Sequence, residues 1–314
     1  MRILITDGLE AEAIAALKKA HQVDVAELDA KALLEQIPAY HALIVRGRTK
    51  VTKDVFAKAA NLKVVGRAGV GVDNIDVNEA TARKVLVVNA PTGSTVSVAE
   101  LAIGHMISWC RLLPQADKSI KEGKWEKKSF EGHEIYGKTL GLIGSGRIGA
   151  EVARRAQVFG MKVIAFDPYL PPEVAKKIDV TLVDKETVLR ESDFISIHAA
   201  LTPETRGMLG AKEFASMKKT AVLVNCARGE IVQEAALADA LKSGVIGGAA
   251  LDVFEKEPPA GSPILTAPHV VFTPHLGAST HEAQYRAGGI IAEQVMKVLE
   301  GKRPDFLVNP KVYG

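Results

Sequence analysis

Gly144, Gly146 and Gly149 stand in G-x-G-x-x-G spacing, as Gly144-Ser145-Gly146-Arg147-Ile148-Gly149, directly after the apolar run Thr139–Ile143. A helix-period stretch, Ile148–Phe159, follows. In that setting Gly144 would make the tight turn, Gly146 would let a pyrophosphate approach the backbone, and Gly149 would let helix and strand pack closely. The pyrophosphate would rest on the N–H groups of the first helical turn, which makes Arg147 and Ile148 contact positions as well. Asp167 closes the next strand, Lys162–Phe166, 23 residues beyond Gly144. A carboxylate there accepts from adenosine ribose hydroxyls and repels a 2′-phosphate. Pro168 and Tyr169 bring no arginine to accommodate that phosphate. The motif therefore implies a nicotinamide dinucleotide, NAD rather than NADP.

A second glycine motif competes. Gly132-His133-Glu134-Ile135-Tyr136-Gly137-Lys138-Thr139 fits G-x-x-x-x-G-K-[ST], but its lysine opens a strand instead of a helix. No helix-terminal amides converge on a phosphate in that order, so the match is fortuitous.

Exchange of hydride with a carbinol–ketone pair needs a residue to carry the hydroxyl proton and a cation to hold the substrate. Of the eight histidines, His275 follows the strand Val270–Thr273 and Pro274, at the carboxyl end where open α/β sheets bind ligands. A structural histidine is its alternative. His198 ends the strand Phe194–His198 and is a cofactor-lining or structural position, while His21, His41, His105 and His133 are structural or surface residues. Arg228 follows the strand Ala221–Cys226 and could clamp a keto-acid carboxylate bidentately, or else pair with Glu230 or Glu234. Glu257 lies in the Pro-rich loop Glu255–Pro263. Bonded to the histidine, it would fix the tautomer and raise the imidazole's basicity; the alternative is a solvated loop carboxylate, with Glu255 as competitor. Asp252, ending its own strand, could face the nicotinamide carboxamide.

Two series of elements must position these groups. Strand-like runs Ile3–Thr6, Val23–Ala26, Ala42–Arg46, Lys63–Ala68 and Val85–Ala90 alternate with helical periods such as Ala11–Ala20 and Ala30–Gln36. One long helix is expected over Val96–Lys121. The second series comprises strands Thr139–Ile143, Lys162–Phe166, Val180–Val183, Phe194–His198, Ala221–Cys226, Gly248–Val253 and Val270–Thr273. Helical stretches Glu186–Glu191, Glu234–Lys242 and Ser279–Glu300 belong with it. This alternation predicts α/β architecture with two doubly wound parallel sheets. The tail Gly301–Gly314 is too short for a domain and is expected to pack on the first one.

The segments Gly144–Gly149, Asn225-Cys226-Ala227-Arg228-Gly229, Leu251–Phe254, Glu257-Pro258-Pro259 and Pro274-His275-Leu276-Gly277-Ala278 resemble the D-isomer-specific 2-hydroxyacid dehydrogenases. The resemblance runs from near residue 1 to about residue 310. It implies a Rossmann-type NAD domain, 96–284, inserted into a flavodoxin-like substrate domain, 1–95 with 285–314, hinged over a cleft. It implies Arg228 as clamp, His275 as acid/base and Glu257 as its partner, with His198, Ala227, Asp252 and Gly277 among the cofactor contacts. The first-domain texts 44–52 and 64–76, together with 123–128, are similar to the branch of the family that handles a phosphorylated acid. That similarity gives Arg46 the phosphate and the amides around Val70 and Gly71 the carboxylate. Lys127 and Lys128 act from a partner subunit or form a solvated basic loop. The expected reaction is NAD-dependent oxidation of 3-phospho-D-glycerate to 3-phosphohydroxypyruvate, the entry to serine synthesis, in a homodimer or higher homo-oligomer joined through the helix near Val96–Lys121. Gly47 and Arg48 replace the usual small polar pair, Ser94 stands for an asparagine, and His198-Ala199-Ala200 for His-x-Pro. The first two bear on which acid is used, and reduction of hydroxypyruvate or glyoxylate is the neighbouring alternative. A non-catalytic NAD-sensing protein of the same fold is the alternative from another class. The chain ends after the catalytic core, so feedback by serine through an added domain is not expected.

The 314 residues amount to about two domains, and 47% apolar with 25% charged content is that of a globular chain. With 40 Lys and Arg against 37 Asp and Glu there is no dense basic tract, so neither nucleic acid nor a membrane surface is expected as partner. Two cysteines, Cys110 and Cys226, make neither a disulfide framework nor a metal knuckle. A cytoplasmic location is expected.

Overall fold

Short aliphatic runs become the strands of two all-parallel sheets in the computed structural model, which describes residues 1–314. By contacts the chain divides into Met1–Thr95 with Ala278–Gly314, and Val96–Gly277. The first unit runs β1 (Arg2–Ile5), α1 (Ala11–Lys18), β2 (Gln22–Val25), α2 (Ala30–Gln36), β3 (Ala42–Val45), α3 (Lys53–Lys58), β4 (Val64–Arg67), α4 (Val77–Ala82) and β5 (Leu86–Asn89). Its sheet order is β2-β1-β3-β4-β5. Side chains alternate across each strand, so Leu4, Leu43 and Val65 meet Leu33 and Phe56 on one face. Ile3, Ile5, Ile44 and Val64 meet Leu17, Ile291 and Val295 on the other. Burial on both faces is why these strands read as unbroken apolar runs.

The second unit contains α5 (Thr95–Cys110), α6 (Leu113–Lys121), β6 (Thr139–Ile143), α7 (Arg147–Val158), β7 (Lys162–Phe166), α8 (Pro172–Lys177), β8 (Thr181–Leu182) and α9 (Lys185–Glu191). It continues with β9 (Phe194–Ile197), α10 (Ala211–Ala215), β10 (Val222–Asn225), α11 (Glu234–Lys242), β11 (Gly248–Leu251) and β12 (Val270–Phe272). Its seven strands are ordered β12-β11-β10-β9-β6-β7-β8, so the direction of winding reverses between β6 and β9. No single helix is long and apolar enough to cross a membrane.

Two expectations are corrected. The single helix over Val96–Lys121 is two, α5 and α6, bent by 64°. Leu112 takes φ +51° at the break and Pro114 sits in the first turn of α6, where its missing N–H costs no hydrogen bond. The chain also re-enters the first unit at Ala278, not at 285. The reason is the last helix, α12 (His281–Leu299), capped by Thr280, whose hydroxyl accepts from the Ala283 N–H at 3.0 Å. Ile291 and Val295 then pack directly above Gly66 of β4. The tail lies on β5: Asn309 Oδ1 accepts from the Val87 N–H at 2.8 Å, and Leu307 bridges Val88 in antiparallel sense.

Candidate active site

Strand β6 delivers the glycine loop to the point where the winding reverses. Gly144 has φ +86°, and a Cβ there would come within 2.8 Å of the Ala199 amide nitrogen after β9. Only glycine allows the loops after β6 and β9 to approach this closely. Gly149 lies beneath the Gly144 carbonyl, while nothing stands within 4 Å of a Cβ built at Gly146. No side chain caps α7, so the amides of its first turn, Arg147 and Ile148 among them, are left for an external acceptor. Beside this loop is a cavity of about 590 Å³ lined by Gly144, Gly146, Asp167, Tyr169, His198 and Met208 among others. Open backbone, an uncapped helix and a cavity of this size fit a dinucleotide.

Asp167 accepts from the Ser145 and Tyr169 N–H groups at 2.8 and 2.9 Å, which fixes its carboxylate at the end of β7. The cavity also takes in Asp184, Glu186 and Glu204, and its lining lysine, Lys185, is paired with Glu213 at 3.5 Å. A 2′-phosphate would meet net negative charge. Asp167→Ala is expected to raise the dissociation constant of NADH about tenfold and that of NADPH much less, through loss of charge-assisted ribose bonds. An unchanged ratio in a fluorescence titration would remove Asp167 from that role. His198 Nε2 lies 2.8 Å from Ser196 Oγ, Nδ1 is buried without a partner, and burial pushes the imidazole down to about 4. It is neutral near pH 7 and lines the cavity as an uncharged wall.

The carboxyl ends of β10, β11 and β12 carry the second group. His275 Nδ1 lies 2.7 Å from Glu257 Oε2. Burial alone would lift the Glu257 carboxyl, but the His275 hydrogen bond and charge, the Phe254 N–H and the Arg228 guanidinium together hold it below its ordinary value. An ionised carboxylate can only accept, so His275 carries hydrogen on Nδ1 and presents Nε2 outward. Glu255 is committed elsewhere, trading backbone and side-chain bonds with Glu234 at the start of α11. His275 sits at φ +55°, an uncommon conformation for a residue with a side chain. It persists because its N–H bonds to the Asp252 carbonyl at 2.8 Å, and the Asp252 carboxylate takes the Leu276 and Gly277 N–H groups at 2.6 and 2.9 Å.

Arg228 extends from the end of β10, where Asn225 accepts from the Ala227 N–H at 3.0 Å and donates to the Arg228 carbonyl at 2.9 Å. One Arg228 terminal nitrogen donates to the Ala227 carbonyl at 2.6 Å, while Glu230 lies 3.9 Å from Arg206 and Glu234 accepts from the Ser262 hydroxyl. The neighbouring Gly229 packs against the Phe254–Glu255 backbone that leads to Glu257.

In the first unit, Arg46 follows β3 at that sheet's own reversal of winding. Its backbone N–H bonds to Asp7 at 2.8 Å, Nε to the Gly8 carbonyl at 3.2 Å, and one terminal nitrogen to Glu10 at 2.6 Å. Arg48 turns away to Asp7, Glu27 and the Thr6 carbonyl. The Val70 carbonyl accepts from Asn89 at 2.6 Å and Gly71 is partly exposed beside it in the loop after β4.

The cavity thus gathers Gly144, Gly146, Asp167 and His198, and the turn on Asp252 gathers His275, Glu257 and Gly277. Sequence reasoning missed Thr202 and Met208, which come from a loop without a motif, and Asp184 and Glu186 at the start of α9. It also treated His105 as merely structural, although its Nε2 lies 2.9 Å from Thr273 Oγ1, two residues before His275.

Residues 103–277 match the family model of the D-isomer specific 2-hydroxyacid dehydrogenase NAD-binding domain. D-3-phosphoglycerate dehydrogenase of Methanocaldococcus jannaschii is 53% identical over 98% of this chain, which spans 59% of that relative's length. A glyoxylate reductase from Paecilomyes thermophila superposes with TM-score 0.90 at 30% identity, over 98% of each chain. The TT0316 protein of Thermus thermophilus does so with TM-score 0.90 at 33% identity, over 98% of this chain and 100% of its own. The glycine loop on β6, the acid closing β7, and a histidine–carboxylate pair beyond β12 therefore have a common explanation: the chain belongs to the D-isomer-specific 2-hydroxyacid dehydrogenases.

Proposed function

We propose that the protein oxidises 3-phospho-D-glycerate to 3-phosphohydroxypyruvate, reversibly and with NAD. The observation that carries a dehydrogenase reading is the His275–Glu257 pair at 2.7 Å, with Nε2 outward beside a cofactor-binding sheet edge. NAD⁺, when bound, supplies the hydride acceptor. In the oxidative direction His275 Nε2 takes the hydroxyl proton, and the Glu257 carboxylate stabilises the imidazolium that results. Arg228 holds the carboxylate and the developing carbonyl oxygen. The amides of Val70 and Gly71 are assigned to the substrate carboxylate, and Arg46 to the phosphate. A guanidinium has five N–H groups, and the bonds to Gly8 and Glu10 use two of those on Arg46, leaving donors for an anion.

A second reading, reduction of an unphosphorylated keto acid such as hydroxypyruvate or glyoxylate, draws support from the same residue, because Glu10 already offsets the Arg46 charge. Loss of NADH absorbance with 3-phosphohydroxypyruvate, hydroxypyruvate, glyoxylate and pyruvate decides between them. Preference for the phosphorylated acid is expected, with Arg46→Ala raising KM for that acid roughly tenfold to hundredfold and leaving the others little changed. Preference for an unphosphorylated acid keeps the chemistry and discards the substrate.

We further assign the protein a homodimer built through α6 and its flanks. Leu113, Ile120 and Trp125 are 47%, 55% and 84% exposed there, large apolar side chains for a surface helix. Light scattering is expected to give twice the 33.5 kDa chain mass, and a monomer at micromolar concentration rejects the assignment.

A further inference from the structure

The turn that carries His275 hangs on one buried carboxylate. Asp252 has no exposed surface. Its Oδ1 accepts from the Leu276 N–H and the Thr273 hydroxyl, both at 2.6 Å, and Oδ2 from the Gly277 N–H at 2.9 Å. The two amides are fixed by the backbone, whereas a threonine hydroxyl rotates and can donate in several directions. Its oxygen is anchored from the other side by His105, on α5. His105 Nε2 lies 2.9 Å from Thr273 Oγ1. The hydroxyl has one hydrogen and spends it on a carboxylate that can only accept, so the imidazole must donate from Nε2. Burial pulls His105 below its ordinary value against the opposing Asp252 charge, which leaves a neutral ring with that single tautomer. The polarity therefore runs one way, from His105 through Thr273 to Asp252. Position 105 is only 2% exposed, beside Ala102 and Met106 of the same core, where an aliphatic side chain would pack without a polar atom to satisfy.

We propose that His105 is a positioning residue for His275, acting through Thr273 and Asp252 and touching neither substrate nor cofactor. With the donor present, Asp252 is held in the orientation that grips the Leu276 and Gly277 amides, and His275 is kept in its left-handed conformation facing Glu257. Without it, the hydroxyl still donates to Asp252, but its oxygen loses the donor that anchors it from the other side, and the turn loosens.

Only the kinetic consequence rests on the dehydrogenase reading. The test compares His105→Leu, which removes the donor and keeps the bulk, with His105→Gln, whose amide N–H can reach the same oxygen. Hydrogen exchange of the segment 275–277 is followed in the protein without cofactor, and kcat and KM are measured with NADH and the best keto acid of the panel. His105→Leu is expected to speed exchange of the segment and to lower kcat roughly tenfold to hundredfold with KM little changed, as for a sub-ångström to ångström displacement of a reacting group. His105→Gln is expected to return both to within a few-fold of the native protein. Unchanged exchange or unchanged kcat in His105→Leu overturns the proposal, and so does a loss that glutamine fails to rescue, which would make the role one of packing. If the native protein reduces no keto acid, the dehydrogenase reading fails, and exchange alone decides the place of His105. Thr273→Val, which breaks the chain one link later, is expected to reproduce the faster exchange, and normal exchange there counts against the relay.

Discussion

Replacing His275 with alanine is expected to lower kcat for keto-acid reduction roughly 10²–10⁴-fold, the usual worth of a positioned general acid or base. The fold should scarcely notice. The His275 side chain is 48% exposed, so its loss opens no cavity, and alanine pays about the same backbone cost at φ +55°. A thermal midpoint close to the native one, with NADH affinity within a few-fold, separates this outcome from a structural effect. Glu257→Gln is a graded companion. It keeps the shape at 2.7 Å from Nδ1 but removes the charge that stabilises the imidazolium. Its kcat should therefore fall too, though less than in His275→Ala, since a protonated ring loses its counter-charge. Native kcat in His275→Ala would end the acid/base assignment, whatever the geometry.

Much of this candidate site is legible in the sequence because its residues sit in short motifs tied to strand ends. Asp167 was found by its distance from Gly144 and by closing β7, and Arg228 and His275 by following β10 and β12. Parallel strands buried on both faces announce themselves by composition, and their ends mark where ligands bind. From the residues alone the choice between Glu255 and Glu257 is open, and only the family resemblance at Glu257-Pro258-Pro259 favours Glu257. The choice depends on the reciprocal bonds between Glu255 and Glu234, which are 21 residues apart in sequence. The break between α5 and α6 was legible in Pro114 and was missed, because apolar spacing continues across Leu112 and Leu113. Helices α3, α4, α8 and α10 have only five or six residues each, too few for a helical period to stand out. His105 shows the same gap at the site itself. An imidazole on a buried helix face gives no sequence signal for which hydroxyl it meets, since Thr273 lies 168 positions away.

Gly229→Ala is expected to be the most damaging single methyl in the chain. A Cβ at this position would lie 1.8 Å from the Phe254 carbonyl carbon, 2.0 Å from its oxygen and 2.4 Å from the Glu255 nitrogen. These are backbone atoms, so no rotamer change relieves the collision, and two chain segments must move apart. Overpacking against side chains costs about 1–3 kcal/mol, and a rigid backbone neighbour puts this substitution at the upper end, about 3 kcal/mol. The displaced segments carry Arg228 and Glu257, to which the proposed mechanism gives the clamp and the acid/base partner. Arg228 precedes Gly229, and Phe254 gives its N–H to Glu257 at 3.3 Å, so the same methyl pushes the clamp away from the His275 partner. A movement of about an ångström there should also lower kcat roughly a hundredfold in the protein that remains folded. Gly146→Ala supplies the contrast. With nothing within 4 Å of its Cβ, it should unfold at the native denaturant midpoint and weaken only NADH binding, where the added methyl meets the pyrophosphate. The two glycines thus answer to different forces, one to the close approach of two chain segments and the other to a ligand. A native midpoint for Gly229→Ala would mean that the contact between Arg228's turn and Glu257's loop is not what sets their spacing.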